Sequence, residues 1–399
     1  MRSRIWHQKP MIITISLGVI TMLFFSAFAT ITPTPAILPL PTGNDVFDVL
    51  LMDVDQNGNF VQNVTYNSKV QSDSVPFWGK ITEITTGGFA IAGFRENDND
   101  GNRHLWVMRT DEDYNLIWNR TYESTYEIRA ITEMNNGDLA IGHYLTDYGY
   151  RMSTFQILVI NDQGDFVKEG TWHFEYGHAS GFSHCEDGGF IIAKEIYNTP
   201  GSSPFWIARI DTDLNVVWNK TYPSFATHTD ILEDLAGGFT MPLEPGLDGP
   251  IGIVRLDDQG NESSRVFTSS NETRQYLTLT QCSNGEYLAG GPGYIIRFDI
   301  EGNILWEKNV SFYVHRILEL NPDRFVAFKA SGARYNGWED PGIYLECFNT
   351  GGEIVWIRSV HLDGFFVPDI ICNADGGLTI LGMMASNYPS VLDEEWSRG

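Results

Sequence analysis

The run Asp53-Val54-Asp55-Gln56-Asn57-Gly58-Asn59 sets oxygen-bearing side chains at alternate positions, and closely spaced oxygens of that kind suit a hard cation such as calcium. Asp53, Asp55 and Asn57 are therefore the candidate metal ligands of the sequence. An EF-hand loop begun at Asp53 would want glutamate at its twelfth position, where this chain carries Val64, and the flanking residues read as strands. The corner also recurs, as Asp111-Glu112-Asp113, Asp211-Thr212-Asp213 and Asp257-Asp258. Repetition favours a hairpin in which Asp and Asn cap backbone amides, with calcium as the competing reading.

A second polar set, Glu83, Glu133, His184, Glu233, Gln281, Glu319 and Cys372, follows an aligned apolar residue by two positions each time. Gathered about one axis, such carboxylates would bind a cation or raise one another's pKa, and a suitably separated pair would equip the chain for glycosidic-bond hydrolysis. Equivalent positions in a repeat are more readily explained by hydrogen bonds between units, and no catalytic residue is assigned. The four cysteines, Cys185, Cys282, Cys347 and Cys372, lack metal-ligand spacing. Cys347 and Cys372 are the pair best placed to bond in an oxidising compartment, and four buried thiols are the alternative. The nine histidines form no His-x-x-x-His or His-Glu-x-x-His arrangement, and no nucleophile elbow, phosphate loop or dinucleotide fingerprint appears in usable context. No organic cofactor is expected.

What must position these residues is a repeat. A strand, a Gly-rich corner and a second strand are clearest from Ile81 through Thr86-Gly87-Gly88-Phe89 to Gly93. The corner returns at Asn136-Gly137, Gly188-Gly189-Phe190, Gly237-Gly238-Phe239, Asn284-Gly285, the degenerate Pro322-Asp323 and Gly376-Gly377, a period of about 48 residues typical of propeller blades. Between corners lies a strand, tight turn and strand, as in Ile207 through Asp211-Thr212-Asp213-Leu214-Asn215 to Tyr222, with counterparts centred on Gly58, Tyr114, Gly164, Gly260, Gly302 and Gly352. Each unit thus supplies four antiparallel strands, A to D. Strand A has an aligned apolar residue in every unit: Ile81, Ile131, Phe182, Ile231, Leu279, Ile317 and Ile370. One such sheet would leave its faces wet, whereas radial stacking buries each against the next. The first motif is a C and D pair without A and B, and the last is A and B without C and D. The expectation is an all-β, seven-bladed β-propeller with four-stranded antiparallel blades, closed by pairing of N-terminal and C-terminal strands.

A Gly-Gly-Phe strand followed by an Asp-x-x-Gly-Asn-x-x-Trp hairpin resembles the repeats of secreted bacterial and archaeal propeller proteins. Phe298-Asp299-Ile300-Glu301-Gly302-Asn303-Ile304-Leu305-Trp306, with Trp118, Trp218 and Trp356, is similar to the tryptophan-docking repeats of quinoprotein-like propellers. The resemblance covers residues 46–384 and implies the fold rather than an activity, since propellers host enzymes and non-enzymes alike. Quinoprotein dehydrogenases usually have eight blades and a calcium-assisted cofactor site, and no residues here match that site.

Arg2, Arg4 and Lys9 precede an apolar run over residues 11–25, and Ala27-Phe28-Ala29 follows, the layout of a secretory signal or a retained anchor at residues 1–29. Residues 30–43, with Pro33, Pro35, Pro39 and Pro41, form a spacer; residues 44–385 are the propeller and 386–399 an acidic tail. With 26 basic against 51 acidic residues and a net charge of -25, the chain repels nucleic acid, and a membrane enters only as a tether through the N-terminal segment. Long segments at 95–104, 145–152, 197–205 and 330–340 fall between strands B and C, with the D-to-A loops expected on the opposite face. They carry Tyr144, Tyr148, Tyr150, Tyr197, Tyr335 and Trp338 in or beside them, candidate aromatic anchors for a protein or glycan ligand. Six N-glycosylation acceptor motifs begin at Asn63, Asn119, Asn219, Asn261, Asn271 and Asn309. The reading is an extracellular or cell-surface binding and scaffolding propeller. An extracellular enzyme, either a glycan hydrolase or lyase or a quinoprotein-like oxidoreductase, is the alternative, and oligomeric state is left open.

Overall fold

The computed structural model describes residues 46–71, 79–96, 103–125, 127–147, 152–175, 179–196, 204–222, 231–235, 237–243, 252–267, 278–329, 342–361 and 365–385. The expected leader, spacer and tail lie outside the described residues. The chain begins with β1 (Val46–Val54) and β2 (Phe60–Gln71). Blade 1 is β3 (Lys80–Glu83), β4 (Phe89–Glu96), β5 (Arg103–Thr110) and β6 (Leu116–Ser124); blade 2 is β7 (Glu127–Glu133), β8 (Leu139–Asp147), β9 (Met152–Ile160) and β10 (Phe166–Glu175). Blade 3 is β11 (Ala179–His184), β12 (Phe190–Glu195), β13 (Phe205–Ile210) and β14 (Val216–Tyr222); blade 4 is β15 (Leu232–Glu233), β16 (Phe239–Leu243), β17 (Gly252–Leu256) and β18 (Glu262–Phe267). Blade 5 is β19 (Thr278–Gln281), β20 (Tyr287–Phe298) and β21 (Ile304–Tyr313); blade 6 is β22 (Arg316–Asn321), β23 (Arg324–Lys329), β24 (Gly342–Asn349) and β25 (Ile354–His361). Last come β26 (Phe365–Cys372) and β27 (Leu378–Ala385).

Blade 7 is composite, in the order β2-β1-β27-β26, with β1 and β27 antiparallel from Phe47 opposite Ala385 to Val54 opposite Leu378. The ends of the repeat therefore join as their sequence implies. Blade 5 differs only in continuity: β20 pairs with β19 through Tyr287–Gly290 and with β21 through Pro292–Phe298. Its two halves are strands B and C folded back at Gly293, because the Tyr287 and Phe298 rings stack with centroids 5.5 Å apart. A straight strand would separate them by roughly 36 Å.

Burial explains the run of sequence in each strand. Strands B and C lie between two neighbouring blades, so Phe89 to Phe94 and Leu105 to Met108 are buried without interruption, whereas outer strand β21 alternates exposed and half-buried residues. Among the described residues the core is divided into seven clusters, each shared by two adjacent blades. Leu51 and Leu381 of blade 7 meet Ile81, Ile91 and Met108 of blade 1. Five further clusters continue from blade 1 to blade 6, and the last joins Val326 and Leu345 of blade 6 to Leu50 and Ile380 of blade 7. The blades form a closed ring.

Each outer strand contains a β-bulge one residue after its first pairing. In β6, Leu116 pairs with Thr110 and Trp118 with Arg109, leaving Ile117 extra; Val61, Val167, Val217, Ser263, Leu305 and Val355 are the equivalents. The bulge turns the next residue toward the following blade. Where that residue is tryptophan, its indole lies on the glycine of the next C–D turn and donates to a turn carbonyl: Trp118 to Asp162 (2.8 Å), Trp218 to Asp258 (2.8 Å), Trp306 to Thr350 (2.8 Å) and, across the closure, Trp356 to Gln56 (3.2 Å). A Cβ on Gly260 would stand 2.7 Å from the Trp218 ring, and one on Gly58 2.7 Å from Trp356. Where the docking residue is Gln62 or Lys168, the turn instead carries Tyr114 (φ 63°) or Leu214 (φ 66°), whose side chain packs into the adjoining core cluster. At six of the seven interfaces one bulky group fills the space, from one blade or the other; between blades 4 and 5 the docking residue is Ser264 and Val266 lies against Gly302 instead.

The antiparallel order corrects one expectation. Strands B and D end at the same edge of a four-stranded sheet, so the B–C and D–A connections share one face, and the A–B and C–D turns occupy the other. For the turn lock, Gly260→Ala is expected to cost about 2–4 kcal/mol, from backbone strain plus overpacking. The same change in a Trp218→Ala background should cost less than half as much. Equal losses in a urea-denaturation double-mutant cycle would remove the lock.

Candidate functional site

The acidic corners cap their own turns. Asp55 Oδ1 accepts the amides of Asn57 (2.8 Å) and Asn59 (2.8 Å), and its Oδ2 accepts the Asn59 side chain (2.9 Å). Burial opposes ionisation of this carboxyl, but those hydrogen bonds outweigh it and hold its pKa below the usual value. Asp111, Asp211, Asp257 and Asp299 repeat the arrangement and the direction. Asp53 turns the other way. It is buried and accepts from Gln62 (3.1 Å), Thr379 (2.7 Å) and the Tyr114 hydroxyl of blade 1. Asn57 Oδ1 accepts from Arg324 of blade 6 (3.1 Å). The three candidate ligands thus take hydrogen bonds from different partners: Asp55 from its own turn, Asp53 from Gln62, Thr379 and Tyr114, and Asn57 from Arg324. Among the described residues, no group of three or more His, Cys, Asp or Glu could hold a metal ion.

Five of the seven strand A polar residues clasp one blade to the next. Glu133 Oε2 accepts the amide and hydroxyl of Thr85 (both 2.7 Å), Glu233 the Glu186 amide (2.5 Å), Gln281 the Leu235 amide (2.9 Å) and Glu319 the Ser283 amide (2.6 Å). Glu83 repeats the contact across the closure, accepting from the Ala374 amide (2.8 Å). Each of these side chains reaches the A–B turn of the preceding blade, and the four acids stand on blades 1, 2, 4 and 6. The turn amides are unsatisfied donors that these oxygens complete.

Among the described residues, Asp234, Glu346 and Asp369 are buried carboxylates that the sequence reading missed, and two of them take partners from other blades. Asp234 accepts from Thr240 (2.8 Å), Arg255 (2.9 Å) and the Tyr287 hydroxyl of blade 5 (2.8 Å). Asp369 of blade 7 accepts the Ile81 amide of blade 1 (3.2 Å), pairs with Arg316 of blade 6 and lies 3.8 Å from Lys80. It ties three consecutive blades. His143 is equally hidden, with Nδ1 3.1 Å from the Thr125 hydroxyl. On the same blade, Gln156 bonds Glu169 (3.1 Å).

Of the aromatic anchors, Tyr144 requires correction: it is fully buried, its ring edge-on to Phe155 at 5.5 Å and under the Arg129 guanidinium at 5.6 Å. It sits in strand β8, where both sheet faces are covered, rather than in the following segment. Tyr148, Tyr150, Tyr197, Tyr335 and Trp338 lie outside the described residues. The four thiols are free; Cys347 and Cys372 share one core cluster without a bond between them. Burial pushes Cys185, Cys282 and Cys347 up to about 12 and Cys372 to about 11.

Two solution measurements follow. Burial holds the His143 imidazole at about 4, below its ordinary 6.5, so between those values the unfolded chain binds a proton that the folded chain refuses. Its contribution to stability is complete above pH 6.5 and is lost as pH falls toward 4, by up to about 1.4 kcal/mol per pH unit. His143→Gln should flatten this acid limb in denaturant titrations; an unchanged slope would refute the assignment. An aromatic disulfide reagent at pH 8 should leave Cys185, Cys282 and Cys347 unmodified until the protein unfolds, and rapid native labelling would contradict their burial.

No protein-family model and no curated protein matches the chain. Solved structures do. A catalytically inactive virginiamycin B lyase from Staphylococcus aureus with quinupristin aligns with TM-score 0.52 at 11% identity, over 84% of this chain and 99% of that one. The α-L-arabinanase of Penicillium chrysogenum with arabinobiose gives TM-score 0.42, 10% identity and coverage of 86% and 99%; the Pan2 WD40 domain of Neurospora crassa gives 0.46, 9%, 79% and 90%. At such identities the likeness is one of fold, and this chain is a seven-bladed β-propeller, an architecture that serves binding and catalysis alike.

Proposed function

We propose that the chain is an exported binding and scaffolding propeller, extracellular or held at the cell surface by residues 11–29, that recognises a protein or glycan through its loop face. The observation that carries this reading is the inequality of the two faces. On the turn face, Asx caps close each turn, while tryptophan locks and strand A clasps join blade to blade. On the other face the B–C connections range from the short fold-back within β20 to the segment between Lys329 and Gly342. A face built to one pattern is a foundation; variable connections on a rigid ring are where recognition is placed. The apolar leader and net charge of -25 accord with export and solubility. The reading invokes no cofactor.

The experiment is alanine replacement of Tyr148, Tyr150, Tyr197, Tyr335 and Trp338, singly and together, with binding of the full chain measured on immobilised glycans and cell-envelope proteins. An anchor residue should weaken binding about 30-fold, equivalent to about 2 kcal/mol, at an unchanged unfolding midpoint. Binding indifferent to all five would sink the loop-face assignment. Turnover of a bound glycan would replace it with the extracellular enzyme. Fractionation of the source cells, with N-terminal sequencing, tests export and tethering.

A further inference from the structure

Five of the six acceptor motifs lie among the described residues, and the structure divides those five into two kinds. Asn261 is explained by its turn: its side-chain nitrogen donates to Asp257 (2.9 Å) and its oxygen accepts from Lys220 (2.6 Å), and Asn59, Asn115, Asn215 and Asn303 make the same bond to their own aspartates. Asn63, Asn119, Asn219 and Asn309 lie instead on outer strands, where asparagine is a poor strand former. Asn219 Oδ1 accepts from the Trp206 indole (3.3 Å), a bond that leaves the amide nitrogen available, and none of the four caps a turn as Asn261 does. The position of Asn63, Asn119 and Asn219 is occupied in the other blades by Glu169, Arg265, Glu307 and Ile357. Asn119, Asn219 and Asn309 are exposed and Asn63 half-buried, and the hydroxyl residues completing the motifs, Thr65, Thr121, Thr221 and Ser311, are exposed as well.

A second observation recurs beside them. Two residues before Asn63, Asn119 and Asn219, and four before Asn309, stand the bulge residues Val61 (57% exposed), Ile117 (53%), Val217 (57%) and Leu305 (47%). Each is a large apolar side chain on a strand whose outer edge has no partner in its sheet. Exposed apolar edges of this kind invite strand addition from another chain. A bulky hydrophilic substituent at the neighbouring asparagine would cover both edge and side chain.

We propose that Asn63, Asn119, Asn219 and Asn309 carry N-linked glycans that sheathe the outer wall of the propeller. The reaction joins the side-chain amide nitrogen to the anomeric carbon of a lipid-phosphate-linked oligosaccharide. The bond from that carbon to the phosphate oxygen breaks, its electron pair leaves with the lipid phosphate, and the amide gives up one proton. The proposal rests on export. The sugars leave both ring faces free, so a loop-face ligand and a glycosylated wall are compatible.

The test routes the full chain, behind a supplied signal sequence, through a eukaryotic secretory pathway, and repeats the mapping on protein from its own source. Glycopeptide mapping should find Asn63, Asn119, Asn219 and Asn309 occupied and Asn261 bare. Enzymatic deglycosylation should leave circular dichroism unchanged and produce self-association in sedimentation velocity, which Ile117→Thr with Val217→Thr should suppress. Bare outer-strand asparagines in the secreted chain, equal occupancy of Asn261, or a deglycosylated protein that stays monodisperse would each overturn the proposal. Because transport is imposed in the first arm, its failure leaves the export reading untouched.

Discussion

A sheet that is apolar on both faces needs two neighbours, and a linear stack of such sheets always ends in two wet faces. The antiparallel pairing of β1 with β27 removes those ends, and the rest of the structure depends on it. With that blade assembled from both ends of the repeat, each interblade cluster has two walls, including the one from Leu50 to Leu345 and the one from Leu51 to Ile91. The polar contacts cross the closure in the same form as elsewhere: Glu83 reaches Ala374 as Glu133 reaches Thr85, and Trp356 covers Gly58 as Trp218 covers Gly260. The closing interface is thus built like the other interfaces.

Part of the acid in the composition is put to structural work. Aspartates at the C–D corners satisfy the amides of their own turns, glutamates of strand A satisfy amides of the preceding blade, and Asp53, Asp234 and Asp369 are buried where hydroxyls, amides or guanidinium groups reach them. Such carboxylates lower the cost of turning the chain tightly at many places around a ring.

Much of this was legible in sequence because it is local and repeated. Gly-Gly-Phe corners, Asp-to-Asn turns and the aligned Ile81, Ile131 and Ile317 each report a position within a blade, and repetition reported the blade count. The interblade reading of Glu83, Glu133, Glu233 and Glu319 held for the same reason: a feature present in most units serves the contact between units. Reading failed where a residue's surroundings come from another part of the chain. Tyr144 looked like the beginning of a loop, yet β8 continues past it between covered faces. The capped hairpin was legible at Asp55, but the place of Asp53 was not, since its partners Thr379 and Tyr114 come from distant parts of the chain.

The sequence by itself determined the all-β class, the seven units, their four strands and the halves that join, since strand periodicity and turn chemistry are encoded within a few residues. Only the tertiary structure decided which atoms meet. The bulge in each outer strand turns Trp118, Trp218, Trp306 and Trp356 onto the next blade, Tyr114 and Leu214 substitute from the opposite side, and Asp369 collects partners from blades 6 and 1. Those choices depend on the angle and register between sheets, which close packing around a closed ring sets and no single repeat contains.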